Sequence, residues 1–302
     1  MLGWRVAISV ILIPILIGIF VLDAKLGPTA PLLGAFCLLL AVRSVWEMQD
    51  LLRVRNVVPR RTLTYSGAVA MILAAWWPHL HGAAASPAPL FAVFGPLGLV
   101  FSLFVCLSLV VEARRFREPG VTVENLGADL IIVSYAGLLL GATAQLRWVA
   151  GTDAGYLVLG SLLVAVKGGD IGGYTFGRLF GRTKMAPRLS PGKTWAGAFG
   201  ACGAASLAAW GWLTYLPPMF HSGWAPCPAG WSLFYGFVLG VVGQAGDLCE
   251  SLIKRDVGKK DAAALFPGFG GLLDLLDSVI YAGPAAYLFW KLAPLASWPV
   301  VG

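Results

Sequence analysis

The chain has 302 residues, of which 58% are hydrophobic and 12% are charged, and its net charge is +7. A soluble domain carries about 25% charged residues, so this composition and the mean hydropathy of +0.78 indicate a protein that lies mostly in lipid. The basic residues are scattered among short loops, which argues against nucleic-acid binding, and five cysteines without paired spacing argue against disulfides or a zinc site.

Nine apolar segments predict an all-α, polytopic integral membrane protein with about nine transmembrane helices. Each segment is near the roughly 20 residues that a bilayer core requires. The first is taken as a retained span because no small-residue cleavage site follows it. The sixth and eighth are short and are expected to continue into the polar motifs behind them. The segments are residues 6–22, 31–46, 63–77, 90–111, 126–146, 155–166, 195–216, 231–245 and 272–292.

The basic residues predict the orientation, because eighteen of the twenty-two fall in every second loop. Positive loops face the cytoplasm, so we expect a cytoplasmic N-terminus, an inner-membrane location and an active site on the cytoplasmic side. The sequence has no internal repeat and no soluble domain. It is therefore interpreted as one membrane domain over residues 1–302, with N-terminal helices in 1–125 and catalytic helices and loops in 126–302.

The sixth-to-seventh connection, residues 167–197, combines many glycines with basic side chains. Glycine lets the backbone approach a ligand closely. Arg178 and Arg182 are four residues apart and would share a face on a helix. Asp170 begins this basic stretch, which favours a ligand-binding loop over a plain hinge. The glycines are Gly168, Gly169, Gly172, Gly173, Gly177 and Gly181, and the basic residues are Arg178, Arg182, Lys184, Arg188 and Lys193.

A Ser-Pro-Gly-Lys-Thr sequence, which includes Ser190, Lys193 and Thr194, opens the seventh segment. A lysine and free N–H groups at a helix start can bind phosphate. The sequence is not interpreted as a P-loop, because Pro187 replaces the first glycine of that motif and no strand is predicted before it.

Residues 246–278 hold six of the fifteen carboxylates of the chain, next to two apolar segments. Carboxylates in or beside a membrane span are costly and indicate function. Two pairs are spaced by three residues and would each share a helix face, which suits Mg²⁺ bound by carboxylates and substrate phosphates. Gly270 and Gly271 are expected to expose amides before the last segment. The charged residues are Asp247, Glu250, Lys254, Arg255, Asp256, Lys259, Lys260, Asp261, Asp274 and Asp277.

Carboxylates for a metal and basic residues for phosphates together favour phosphoryl or nucleotidyl transfer at the membrane surface. Proton-coupled transport is the alternative, because acidic and basic residues in spans also mark transport pathways. Transport is second, since two similar halves with broken helices are absent from the sequence.

These motifs resemble the phosphatidate cytidylyltransferases, also called CDP-diacylglycerol synthases. Phe269 stands where that family has His, and Leu275 stands where it has Arg, so any contribution of those two side chains is absent here. Asp170 and the Ser-Pro-Gly-Lys-Thr sequence resemble a second conserved region of the family. The C-terminal signature is matched by Ser251, Lys254, Arg255, Lys260, Asp261, Pro267, Gly270, Gly271, Asp274 and Asp277, after Gly246, Asp247 and Glu250.

The resemblance implies transfer of a cytidylyl group from CTP to phosphatidate, giving CDP-diacylglycerol and pyrophosphate in the lipid bilayer. It implies Mg²⁺, with K⁺ as a candidate second cation, and a homodimer. Another lipid acceptor or an inactive relative are the alternatives within the family. The implied metal ligands are Asp247, Asp274 and Asp277, supported by Glu250 and Asp261. The implied phosphate ligands are Lys193, Lys254, Arg255 and Lys260, and further substrate contacts are assigned to Arg178, Arg182, Ser190, Thr194, Gly270, Gly271 and Asp170.

Overall fold

The computed structural model describes residues 2–55, 57–80, 95–116, 119–151, 153–259, 270–293 and 295, and these are almost entirely helical. The helices are α1 (Leu2–Leu26), α2 (Pro31–Leu52), α3 (Arg61–Leu80), α4 (Gly95–Arg115), α5 (Thr122–Val133), α6 (Leu140–Ala144), α7 (Gly155–Phe180), α8 (Trp195–Tyr215), α9 (Pro217–Phe220), α10 (Ala229–Asp256) and α11 (Leu273–Leu292). A π-helical segment, Ser134–Leu139, joins α5 to α6, and short 3₁₀ turns cover Arg53–Arg55 and Gln145–Arg147.

The membrane-type helical architecture predicted from the sequence is confirmed. A helix lies at each of the nine apolar segments within the described part of the chain, and α7 and α10 continue into the polar motifs as expected. Five helical stretches are long and apolar enough to cross a bilayer among the described residues. They are Pro31–Leu52, Gly95–Arg115, Thr122–Arg147, Gly155–Phe180 and Ala229–Asp256. Nine crossings and a cytoplasmic N-terminus stay predictions.

The chain forms two compact units. Unit 1 contains Met1–Ala142 and Val257–Asp274, and unit 2 contains Thr143–Asp256 and Leu275–Gly302.

Unit 1 is built on α2 to α5, and α3, α4 and α5 share an apolar cluster. Gly67 makes this packing close, since a Cβ there would lie 2.6 Å from the Phe104 ring. Polar residues tie the helix ends together: the Arg60 guanidinium pairs with Glu112 at 2.7 Å, and the Arg60 N–H donates to Asp129 at 2.8 Å. The cluster consists of Leu63, Met71, Phe104 and Val133.

Unit 2 is centred on α8, which packs against both α7 and α10. Small residues allow this close approach: a Cβ on Gly172 would press on Ala204 and would lie 2.6 Å from the carbonyl oxygen of Gly200. On the other side, a Cβ on Gly240 would lie 2.9 Å from the Cα of Cys202. The glycines of the 167–197 stretch up to Gly177 therefore lie on helix α7, where they serve helix packing. The loop predicted for them is wrong, while ligand binding by this stretch stays a prediction.

A two-stranded antiparallel hairpin connects α7 to α8. Strand β1 is Lys184–Ala186 and strand β2 is Ser190–Thr194, with Lys184 opposite Thr194. This hairpin is a small addition to a structure that is otherwise almost entirely helical, as predicted. The expectation that no strand precedes the Ser-Pro-Gly-Lys-Thr sequence is wrong, because β1 lies just before it. Because that sequence is itself a strand, the structure still differs from a P-loop. Thr194 caps α8, since its hydroxyl accepts a hydrogen bond from the Gly197 N–H at 3.1 Å.

Candidate active site

Three helices of unit 2 converge around two glycines of α10. A Cβ on Gly246 would lie 2.6 Å from the Cβ of Tyr281 and 2.9 Å from the carbonyl oxygen of Asp277, both on α11. One turn earlier, a Cβ on Gly243 would lie 3.6 Å from Ser278 on α11 and 3.7 Å from Val166 on α7. The charged residues beside these contact points are Lys167, Asp247 and Asp277, so the fold gathers charge where the helices meet.

Asp277 is a buried carboxylate, with only 4% of the residue exposed. Its Oδ1 accepts hydrogen bonds from the backbone N–H of Ser278 at 2.5 Å and from the Ser278 hydroxyl at 2.8 Å. Asp247 acts on this charge by repulsion and Lys167 by attraction. Burying a carboxylate beside another carboxylate is costly unless a cation compensates for both charges, so the surroundings of Asp277 favour a cation.

Asp247 is paired with a lysine from the hairpin. The Nζ of Lys193 lies 2.8 Å from Oδ2 of Asp247 and also donates to the carbonyl oxygen of Gln244 at 3.4 Å. Lys193 is in β2 and Asp247 is in α10, so the structure brings together two predicted site residues that are far apart in the chain. A partly exposed ammonium group next to a carboxylate suits a phosphate with its bound metal ion, since the ammonium group can bind the phosphate and the carboxylate can bind the metal.

Glu250 and Lys254 pair with each other on the next turns of α10. Their charged atoms lie 2.5 Å apart, and both side chains are almost fully buried. Arg255 uses its Nε to donate to the carbonyl oxygen of Leu189 in the hairpin turn, at 3.0 Å. The predicted roles of these residues in binding metal or phosphate stay predictions. Their visible contacts stabilise α10 and hold the hairpin against it.

Lys167 is a site residue that the sequence interpretation missed. Its Nζ lies 2.9 Å from Oδ2 of Asp170, one turn further along α7, and both side chains are partly exposed. The sequence contains a signal for it, because Lys167 directly follows the apolar segment 155–166 and comes three residues before Asp170. Asp170 thus lies on a helix and not in a loop.

The two arginines of the glycine-rich stretch do not share a helix face. Helix α7 ends at Phe180 and Gly181 caps it in an extended conformation, so Arg182 lies beyond the helix. Arg178 donates to the hydroxyl of Tyr174 at 3.0 Å on an exposed surface. The shared face predicted for Arg178 and Arg182 is therefore wrong.

The start of α11 belongs to unit 1, and the glycines of the signature lie just before it. Gly270 has φ of +85°, a conformation that favours glycine, and the N–H of Gly271 donates to Oδ2 of Asp274 at 2.6 Å. Glu47 of α2 accepts hydrogen bonds from the N–H groups of Leu272 and Leu273, and no sequence pattern indicated this contact. Four positions of the signature lie outside the described residues: Lys260, Asp261, Pro267 and Phe269.

The donor set fits Mg²⁺ held partly by substrate. The described residues contain no group of three or more His, Cys, Asp or Glu side chains that could hold a metal ion by themselves. Mg²⁺ commonly uses one or two carboxylates together with phosphate oxygens and water. Asp247 and Asp277 are a carboxylate pair of that kind.

Comparison with known proteins identifies the class. Residues 4–293 match the cytidylyltransferase family, and the chain therefore belongs to that family. A phosphatidate cytidylyltransferase of Pseudomonas aeruginosa is 34% identical over 303 residues, which cover 96% of this chain and 97% of the relative.

Two further relatives align over shorter regions. A phosphatidate cytidylyltransferase of Brucella suis is 40% identical over 156 residues, so this chain spans about half of that relative's length, 54%. The uncharacterized protein YnbB of Escherichia coli is 36% identical over 202 residues, which are 66% of this chain and 63% of the relative. The resemblance stated from the signature residues is confirmed at the level of the family.

Proposed function

We propose that the protein is an integral membrane phosphatidate cytidylyltransferase, which converts CTP and phosphatidate into CDP-diacylglycerol and pyrophosphate. The observation that carries the proposal is the meeting of the buried Asp277 with Asp247 and its partner Lys193. The names of the Pseudomonas and Brucella relatives support the choice of CTP and phosphatidate.

The reaction needs positioning and charge neutralisation more than covalent help from the protein. A phosphate oxygen of phosphatidate attacks the α-phosphorus of CTP, a new P–O bond forms, and the bond to the β-phosphate breaks in line as pyrophosphate leaves. The attacking oxygen is already an anion at neutral pH, so a general base is not required. The protein has to hold two anionic substrates close together in the correct orientation.

Asp247 and Asp277 would hold Mg²⁺, and Ser278 orients the Asp277 carboxylate by donating to its Oδ1. When bound, the ion supplies positive charge that neutralises the phosphate oxygens. Lys193 lies beside Asp247 and would bind a phosphate of CTP next to it. Asp274 begins the same helix as Asp277, one turn earlier, and keeps its predicted role as a further ligand.

The finer predictions of location and assembly form part of the proposal. The nine apolar segments support nine spans across the inner membrane. The charge bias of the loops supports a cytoplasmic N-terminus and an active site that faces the cytoplasm. Single cysteines placed in successive loops and labelled from outside with a membrane-impermeant maleimide would test this orientation. The homodimer and the second cation, K⁺, rest on the resemblance alone.

The direct experiment measures pyrophosphate release by the purified protein in detergent with Mg²⁺ and phosphatidate. CTP, dCTP, ATP and GTP are compared, and labelled CDP-diacylglycerol is identified as the product. Release that depends on phosphatidate and a cytidine nucleotide supports the proposal. Release with another lipid phosphate but not with phosphatidate would show a different acceptor, and no release with any nucleotide in folded, lipid-supplied protein would refute the activity.

A further inference from the structure

Glu47 is a fully buried carboxylate that lies outside every motif of the proposed site. It belongs to the last turns of α2, and the residue has 0% of its surface exposed. Its Oε1 accepts a hydrogen bond from the N–H of Leu272 and its Oε2 accepts one from the N–H of Leu273, both at 3.0 Å. Both oxygens of Glu47 are therefore directed at the amides where α11 begins.

Arg43 supplies the opposite charge. Its Nε donates to Oε1 of Glu47 at 3.0 Å, one helical turn away on α2. The guanidinium group also stacks over the Trp46 ring, with its central carbon 4.2 Å from the ring centre. A buried carboxylate is stable when it is paired and hydrogen-bonded, so these contacts fix the orientation of Glu47.

The amides that Glu47 binds are those a helix leaves free at its N-terminus. A negative side chain at this position satisfies the amides and interacts favourably with the helix dipole. A hydrogen bond from the Gly271 N–H to Asp274 stabilises the same turn. Only glycine fits at position 270, because a Cβ there would collide with the Asp274 carboxylate. The carboxylate of Asp274 thus closes the turn before α11, and Glu47 connects the start of that helix to α2.

We propose that Glu47 is a positioning residue for the metal-binding carboxylate Asp274 of α11, an inference that rests on the proposed function. Glu47 acts through the amides of Leu272 and Leu273 and does not itself touch substrate or metal. Groups that orient metal ligands typically change metal affinity or activity by about 10- to 100-fold when they are removed.

The test compares Glu47→Ala and Glu47→Gln with a matched control, Glu112→Ala. Glu112 is also a buried carboxylate paired with an arginine Nε in unit 1, but its partner is Arg60 and not the start of α11. Glu47→Ala should raise the Mg²⁺ concentration for half-maximal pyrophosphate release by about 10- to 100-fold. Glu47→Gln keeps one acceptor oxygen and should fall between Glu47→Ala and the wild type. The control should leave the Mg²⁺ requirement unchanged even if its Tm falls.

Two readouts do not depend on turnover. Hydrogen–deuterium exchange of peptides covering residues 270–274 should accelerate in Glu47→Ala and not in Glu112→Ala. Titration of the purified proteins with Mn²⁺ alone, followed by electron paramagnetic resonance, should show weaker binding in Glu47→Ala. Unchanged exchange would overturn the proposal, and so would faster exchange with unchanged Mn²⁺ binding. If the wild type releases no pyrophosphate, the proposed function fails, while exchange and Mn²⁺ binding still decide the role of Glu47.

Discussion

The substitution Asp277→Asn removes the negative charge of the Asp277 side chain but keeps its shape. Asparagine has nearly the same volume, and its Oδ1 can still accept both hydrogen bonds from Ser278. The substitution removes a buried negative charge that Asp247 repels. The free energy of unfolding of the metal-free protein should therefore stay the same or rise, while the proposed binding of Mg²⁺ loses one carboxylate.

The size of the effect follows from the place of Asp277 in the site. Residues that only orient metal ligands cost about 10- to 100-fold when they are lost, so a direct ligand should reach at least the upper end of that range. We expect kcat/KM to fall by at least about 100-fold. This corresponds to about 2.7 kcal/mol of lost transition-state stabilisation.

The assay combines pyrophosphate release over a range of Mg²⁺ concentrations with thermal unfolding in detergent, with and without Mg²⁺. Asp256→Asn is the matched control, because Asp256 is an exposed carboxylate at the end of α10 and the chemical change is identical. Turnover close to the wild type in Asp277→Asn would refute the metal assignment. Lost activity together with a lower Tm in the absence of Mg²⁺ would instead show that Asp277 is needed for folding.

Three further predictions concern unit 2 and its connections. Thr194→Ala removes the hydroxyl that caps α8 and should destabilise the protein by about 1 kcal/mol, measured as a lower Tm. Gly200→Leu should destabilise it by about 1–3 kcal/mol, because a Cβ at Gly200 would strike Phe176, whereas Gly203→Leu on the same helix meets open space and should leave Tm unchanged. Burial raises the pKa of the Cys227 thiol to about 12, so a hydrophilic maleimide should label it slowly at pH 7.5 and faster as pH rises toward that value.

Each of these predictions has an outcome that contradicts it. An unchanged Tm in Thr194→Ala would mean that the cap does not stabilise α8. Equal loss of stability at Gly200 and Gly203 would refute close packing of α7 on α8 as the cause. Rapid labelling of Cys227 at neutral pH in folded protein would contradict its burial.

The architecture and the family could be predicted from the sequence because both depend on local patterns. Apolar runs of about 20 residues have few conformations available in lipid other than helix, and the structure has helices at those positions. The spacing of the carboxylates and basic residues in the C-terminal signature was enough to recognise the family, which the match over residues 4–293 confirms. The same patterns predicted correctly that α7 and α10 extend past their apolar runs.

The glycine-rich stretch was misinterpreted although it carried a usable signal. Gly169, Gly173, Gly177 and Gly181 recur every four residues, and the first three lie on one face of α7. Such a row of small residues lets membrane helices pack closely. Because basic residues lie nearby, the stretch was interpreted as a loop, although glycines spaced by about one helical turn are typical of a packed helix. The helix lasts until Phe180, and only the residues beyond it form the hairpin.

Contacts between distant residues could not be predicted, because one sequence contains no information about which helices meet. Lys193 and Asp247 were both expected in the site, but their ion pair links a hairpin strand to a helix more than fifty residues later. Glu47 follows the predicted apolar segment 31–46 and belongs to none of the motifs singled out in the sequence. Its partners at the start of α11 are 225 and 226 residues further along the chain.

The buried carboxylates differ in how their charge is compensated. This difference separates carboxylates whose charge the protein itself balances from Asp277, the proposed metal ligand. Glu47 and Glu112 each pair with an arginine at close range, so the protein itself balances their charge. The hydrogen bonds described for Asp277 come from the neutral Ser278, and Asp247 adds repulsion that the attraction of Lys167 opposes. Asp277 is buried beside the partly exposed Asp247, and a carboxylate in such a place is stabilised when a cation binds there. The position of Asp277 is therefore costly for the protein alone and favourable once a divalent cation and its phosphate ligand are present.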